Sequence, residues 1–442
     1  MFIDANYHTL SLVEVKRMFP MIIAAIFVVS LVLIVVFKKH RTILAMLAAL
    51  LMYFLLIMIK GISFYEFLNF IDFKTLGLIL GILVTAEVIS DSGLFQFIAI
   101  KTIRLAKGDS TLLAFIICFM GILLSSVLTA VVAVIIMVKL TLSICKALDV
   151  NPIPYLISVV ISMDMGGLMS MIANTPNIII AQEAGLSFAF FFFYVTPYAL
   201  ITFAVLLLLF KLYFKTFGSV DRIRKTVIEE FEEWSLVPSK TLFYAAIILL
   251  VGLVLGFILI PDPLFVSLFI ATLSVIFMRM DPDIVFDKLD WGTVAFLISM
   301  FVLVGAVEEE GLLYPIGVYI AQISGGNPLL ISLFIIVVLS WLNGFVDEVM
   351  LALTLIPIIK TVITTANLTN TAYLWTALII TTNLGGGLSP VSSPVMLFML
   401  SQAGREGYKV NVGQIVKLGL IATATEILIA AVYLTLRIVL LI

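Results

Sequence analysis

Along this chain, apolar runs follow one another with only short polar joints between them; the clearest cover 21–37, 42–58, 75–90, 241–259 and 412–438. Runs of roughly 17 to 25 apolar residues suffice to cross a hydrocarbon core of about 30 Å as a helix, and the whole pattern predicts about ten to twelve crossings. An outer-membrane barrel would alternate polar and apolar positions over strands of about ten residues. The runs here are continuous, so the predicted fold class is an all-α polytopic membrane protein.

Two glycine- and proline-broken segments interrupt the apolar pattern. The first runs Asp164-Met-Gly166-Gly167-Leu-Met-Ser170-Met-Ile-Ala-Asn174-Thr175-Pro176-Asn177, and the second Asn383-Leu-Gly385-Gly386-Gly387-Leu-Ser389-Pro390-Val-Ser392-Ser393-Pro394. Irregular backbone at membrane depth survives only where protein buries it or where it lines a watery cavity. Two matched breaks are therefore the best sequence pointer to a transporter's binding site. The punctuation keeps one spacing: Gly93 and Gly311, Thr129 and Asp347, and Pro176 and Pro394 stand 218 positions apart, and Gly166 and Gly385 stand 219 apart. This predicts two repeats in inverted arrangement, each with a re-entrant helical hairpin and a broken helix. The expected organisation is N-terminal helices over 1–71 and a first repeat over 72–217, with its hairpin near 112–140 and broken helix near 155–185. A polar connector over 218–240 and linking helices over 241–286 follow. The second repeat covers 287–442, with its hairpin near 328–362 and broken helix near 373–402.

Composition agrees with a membrane setting. The 442 residues are 63% hydrophobic and 12% charged, with mean hydropathy +1.26, where soluble domains carry about a quarter charged residues. A net charge of −2 leaves no basic face for nucleic acid. The stretch from Met21 follows Lys16 and Arg17 without a small-residue cleavage site and reads as a retained first helix. Lys38-Lys39-His40-Arg41 places the next loop on the cytoplasmic side and the amino terminus outside, in a prokaryotic inner membrane. Cys118 and Cys145 have no metal or redox spacing and read as buried thiols. The sequence contains no Walker A, HExxH or GxSxG pattern. A transporter that uses no ATP in this chain is expected, and an enzyme is not.

Candidate chemistry gathers at the breaks and the hairpin tips. Asp347 and Glu348 are intramembrane carboxylates, which are functional candidates by default. Adjacent acids in a low dielectric cannot both ionise cheaply, so one holds a proton unless a cation offsets it. Asp164 precedes the first Gly-Gly pair. Ser125, Thr129, Ser170, Asn174, Thr175 and Asn177 in the first half, with Asn343, Ser389, Ser392 and Ser393 in the second, offer oxygens suited to a hard cation. Na⁺ is assigned to Asn174, Thr175, Asp347 and Ser389. No cofactor is expected beyond Na⁺ or H⁺ as coupling ion. Half-helix N-termini also favour an anion, but no Arg stands in either motif to grip a carboxylate. A small inorganic species is therefore favoured over a large dicarboxylate. Glu87 and Glu426 lie in other spans and read as helix-end or locally paired groups, and Glu308–Glu310 reads as a solvated helix end.

Several of these stretches resemble the ion transporter superfamily, which includes arsenite permeases, NhaD-type sodium/proton antiporters, P-protein-like permeases, citrate transporters and divalent anion/sodium symporters. The likeness rests on Gly166-Gly167 through Asn174-Thr175-Pro176-Asn177, on Gly185-Leu186-Ser187-Phe188 before Pro197, on Asp290-Trp291, Glu310-Gly311-Leu312 and Val346-Asp347-Glu348-Val349 with Pro357, and on Gly386-Gly387-Leu388-Ser389-Pro390. It covers roughly 70–430. The resemblance implies a secondary active transporter moving a small inorganic ion, arsenite-like oxyanions favoured, coupled to H⁺ or Na⁺. Sodium/proton antiport and dicarboxylate or citrate symport are the alternatives. The partners are the lipid bilayer and the ion, and the likeness to dimeric symporters implies a homodimer.

Overall fold

The computed structural model describes residues 3–37, 40–103, 109–128, 130–214, 234, 237–384 and 394–440, with 3–17, 103, 131 and 394 described by their backbone alone. Among the described residues the structure is helical and holds no strand. The first helices are α1 (Ile3–Val36), α2 (Arg41–Lys60), α3 (Phe64–Leu68), α4 (Phe73–Ser90) and α5 (Leu94–Ile103). Next come α6 (Ser110–Ser125), α7 (Ala130–Leu148), α8 (Ile153–Met169), α9 (Thr175–Ala184) and α10 (Phe188–Phe214), which carries a π-helical turn over Phe191–Val195. The second half supplies α11 (Lys240–Leu259), α12 (Pro263–Met278), α13 (Pro282–Lys288), α14 (Trp291–Glu309) and α15 (Tyr314–Ile323). It ends with α16 (Pro328–Asn343, π-helical over Ile335–Leu339), α17 (Glu348–Thr365), α18 (Ala372–Asn383), α19 (Pro394–Arg405) and α20 (Val412–Leu440).

Among the described residues, eight helices are long and apolar enough to cross a membrane, and four shorter apolar ones accompany them: α6, α8, α12 and α16. The 16 residues of α6 and the 17 of α8 rise only about 24–26 Å at 1.5 Å per residue, short of a core of about 30 Å. Three of these four short helices are the ones that lead into a hairpin turn or a chain break.

The chain divides into two compact units, one of Met1–Leu76, Asp290–Ile331 and Val349–Thr371, the other of Gly77–Leu289, Ser332–Glu348 and Ala372–Ile442. In the first, α2 turns Ala45, Ala49, Met52 and Leu56 inward at helical spacing, against α1 and α14, and leaves Leu47, Leu50, Phe54 and Met58 exposed for lipid. The acidic end of α14 departs from the sequence reading. Glu310 pairs with Lys60 at 2.6 Å and its side chain is only 7% exposed, because α2 ends its apolar run with a cation beside the end of α14.

In the second unit α6 lies along α8 at close range. A Cβ on Gly121 would come within 2.6 Å of Val159, and one on Gly166 within 1.9 Å of Ser125 Oγ and 2.4 Å of the Ile122 carbonyl. Glycine is what allows the helices this approach. α7 packs on α19, and α20 packs on α8, α10 and α18. Lys288, closing α13, donates to Asp91 at 2.5 Å and sits 3.8 Å from Glu87, so the partner of Glu87 comes from a helix distant in the sequence rather than from its own. Cys118 and Cys145 are buried and free.

Candidate functional site

The first break is a true interruption of the helix. α8 ends at Met169, Ser170 and Asn174 take extended backbone angles, and α9 restarts at Thr175 with Pro176 in its first turn, where a missing N–H costs nothing. The end of α8 leaves carbonyls, and the start of α9 N–H groups, that water would satisfy outside a membrane; for the carbonyls side chains take the water's place. Asn177 Nδ2 donates to the carbonyls of Gly167 (2.7 Å) and Ser170 (3.0 Å), and Thr196 Oγ1 donates to Met169 O (2.9 Å). Ser125 Oγ, at the end of α6, donates to Met163 O (2.8 Å), and Ser170 Oγ donates to Ser126 O (2.7 Å). The tip of the first hairpin is thus bonded to the broken helix of its own half.

The second half repeats the device. Asn343, at the end of α16, donates through Nδ2 to the carbonyls of Thr382 (2.8 Å) and Leu384, where α18 stops. Ser125 and Asn343 stand 218 positions apart, and the carbonyls they bond, Met163 and Thr382, stand 219 apart. The same joint therefore occurs at the spacing read from the punctuation residues.

Between the first break, the end of α18 and the start of α17 lies a small acid and amide cluster. Asn174 Nδ2 donates to Glu348 Oε2 and to Asn383 Oδ1, both at 3.0 Å, and Asn383 Nδ2 donates to Asn177 Oδ1 at 2.8 Å and to Ile379 O at 2.8 Å. Asn177 is fully buried and Asn383 is 5% exposed, while Asn174, Thr175, Asp164, Asp347 and Glu348 are half-buried. Glu348 opens α17, where the helix dipole favours a negative charge. Gly167 passes so near that a Cβ there would touch Asn383 Oδ1 at 3.2 Å. Asp164, one turn before Gly167, lies within electrostatic reach of Glu348 and Glu426.

The structure thus gathers Ser125, Asp164, Ser170, Asn174, Thr175, Asn177, Asn343 and Glu348, with Asp347 beside them on the second hairpin. Thr129, Ser389, Ser392 and Ser393 lie outside the described residues, as does most of the polar connector. Sequence reasoning missed Asn383 as a site residue. Its signal was position, since it stands 219 residues after Asp164. Glu426 also departs from the reading as a helix-end or paired group: it stands mid-way along α20 and is 2% exposed.

Chemically the cluster is rich in oxygen: the Glu348 carboxylate and the Asn383 and Asn177 amide oxygens face one another across the Asn174 and Asn383 amide groups. Among those residues no three His, Cys, Asp or Glu side chains converge as a metal cluster. A hard cation here would rely on amide, hydroxyl and backbone oxygens around one carboxylate, and a proton would need only the carboxylates.

The model of the citrate transporter family matches residues 31–265 and 261–441. An uncharacterized transporter of Mycobacterium tuberculosis is 26% identical over 421 residues, covering 93% of this chain and 97% of the relative. A 46 kDa membrane protein of Mycobacterium leprae is 25% identical over 417 residues, 93% of this chain and 97% of that protein. The P protein of Mus musculus matches at 30% over 214 residues, 46% of this chain and 25% of that protein. Among solved structures, the YdaH transporter of Alcanivorax borkumensis aligns with a TM-score of 0.60 at 15% identity, over 83% of this chain and 85% of that one. MtrF of Neisseria gonorrhoeae, described as illuminating a class of antimetabolite efflux pumps, aligns with the same score and identity over 83% and 82%. At that identity these two share the fold. With its apolar helices and its mycobacterial relatives, the chain is an integral membrane transporter of the bacterial inner membrane, and it belongs to the citrate transporter family.

Proposed function

We propose that the protein is a secondary active transporter that binds H⁺ or Na⁺ at the acid and amide cluster and uses that ion's gradient to move a small inorganic ion. The observation that carries this reading is the Asn174 amide, held between Glu348 and Asn383 at 3.0 Å each. It ties the first residue of α17 to the break between α8 and α9 and to the end of α18, so filling or emptying the site bears on all of these elements. Intramembrane carboxylates set among amide and hydroxyl oxygens favour a proton or a hard cation as occupant. That balance supports sodium/proton exchange over the arsenite-like oxyanion, and supports a multiply charged citrate or dicarboxylate least. Inverted repeats would let two such joints open alternately to the two sides of the membrane.

Purified protein in proteoliposomes, screened with Na⁺, Li⁺, Mg²⁺, arsenite, phosphate and citrate with and without an imposed pH gradient, tests the reading. Flux of one small ion that follows a proton or sodium gradient is expected. Flux indifferent to both gradients, or single-channel currents, would overturn it.

A further inference from the structure

The last membrane helix carries an acid that the cluster does not account for. Glu426 is 2% exposed at the centre of α20. An acid buried at that depth of a membrane helix is costly and marks an ion or proton pathway. Its surroundings bring it beside the broken helix. α20 packs on α8, α10 and α18 and on the π-helical turn of α16. The Tyr198 hydroxyl of α10 donates to the Glu426 carbonyl at 3.1 Å. Two residues earlier on α10, Thr196 bonds the last carbonyl of α8, so the middle of α20, the start of α10 and the end of α8 meet at one level. The titratable groups facing Glu426 are Asp164 from α8 and Tyr198 from α10. The buried stretch of α18 and the Ile335–Leu339 turn of α16 present none, and on α20 itself the next is Tyr433, about two turns on.

Asp164 has a second neighbour. One turn further along the same helix, Gly167 lies against Asn383 and Asn174, and Glu348, which accepts from Asn174, is within electrostatic reach of Asp164. Asp164 is therefore one helical turn from the acid and amide cluster, on the helix against which α20 and its buried acid pack.

We propose that Glu426 is a proton-holding residue of the transport cycle, passing its proton to and from Asp164 as the cluster fills and empties. The transfer is balanced: one carboxyl O–H breaks as the other forms, and no further reactant is needed. The inference rests on the coupled-transport reading and deepens it by naming the proton as coupling ion and Glu426 as its inner station. Glu426 acts through Asp164 and is a positioning residue for the proton rather than a ligand of the substrate.

The test compares wild type, Glu426→Gln and Glu426→Asp in proteoliposomes, with infrared difference spectra of the same proteins between acid and alkaline buffer. In Glu426→Gln, pH-gradient-driven flux should fall to the level seen without a gradient. The spectrum should lose one protonated-carboxyl component. Glu426→Asp should keep coupled flux with a displaced pH profile, which a packing role alone would not produce. Wild-type spectra without a component assignable to Glu426, or a Glu426→Gln protein with unchanged gradient dependence, would overturn the inference while leaving coupled transport intact. Absence of coupling in wild type would instead overturn the parent reading.

Discussion

At the scale of single residues, the site was legible wherever punctuation marked it and illegible where position alone did. Asn177 and Ser170 stand out because polar side chains beside a Gly-Gly and Asn-Thr-Pro-Asn break have carbonyls to serve, and they serve them, while Asn174 in the same break donates to the Glu348 and Asn383 side chains. Asn383 closes a helix and so reads as an ordinary cap, yet it bonds both Asn174 and Asn177. Glu426 lies in a helix apolar on all sides, which carries no periodic signal to say which face is inward. Two outcomes follow from the geometry. Gly166→Ala would place a methyl group 1.9 Å from Ser125 Oγ and 2.4 Å from a backbone carbonyl. It should lower stability by about 3 kcal/mol, as overpacking does, seen as a drop in the melting temperature in detergent; an unchanged melt would mean that α6 and α8 are not so close. Asn174→Leu removes the donor shared by Glu348 and Asn383. It should leave the protein folded and slow gradient-driven flux about tenfold, equivalent to roughly 1.4 kcal/mol; flux at the wild-type rate would detach the amide from function.

The elements were legible by length and punctuation. The break between α8 and α9 was marked by the sequence, since glycine, proline and small polar residues cannot continue an apolar helix without partners for its backbone; the glycine-rich stretch after α18 lies outside the described residues. The π-helical turns at Phe191–Val195 and Ile335–Leu339 were invisible. Their sequences are all apolar or aromatic, and the shift of register is set by packing rather than by residue type. The clasp of α13 on the end of α4 was likewise unreadable, because Lys288 and Asp91 are 197 positions apart. There the hydrogen bond that Lys288 donates to Asp91 holds the ammonium above its usual value. A raised folded-state value means that the stabilisation is complete below the unfolded ammonium value of about 10.4 and is lost as pH rises through the higher folded value. With Lys288 40% exposed, the clasp is worth less than about 1 kcal/mol. Lys288→Met should melt slightly below wild type at neutral pH, with the difference closing in strongly alkaline buffer. A gap that persists there would assign the effect to packing.

For the whole molecule, the class came from hydropathy and the candidate site from the glycine- and proline-broken segments, whereas the partition into two units could not be read, since it depends on which helices pack together along a discontinuous chain. The homodimer implied by family resemblance should appear in nanodiscs as a particle of twice the 48.7 kDa chain mass; a single-chain particle would dismiss it. The central claim is that a cation held by the cluster around Asn174 and Glu348 drives transport. It is tested most directly by pH- and sodium-gradient-driven flux in proteoliposomes of wild type and Glu348→Gln. The account predicts that the variant folds, binds detergent and lipid as wild type does, and loses gradient-driven flux. Equal flux from the two proteins under the same gradients would contradict it.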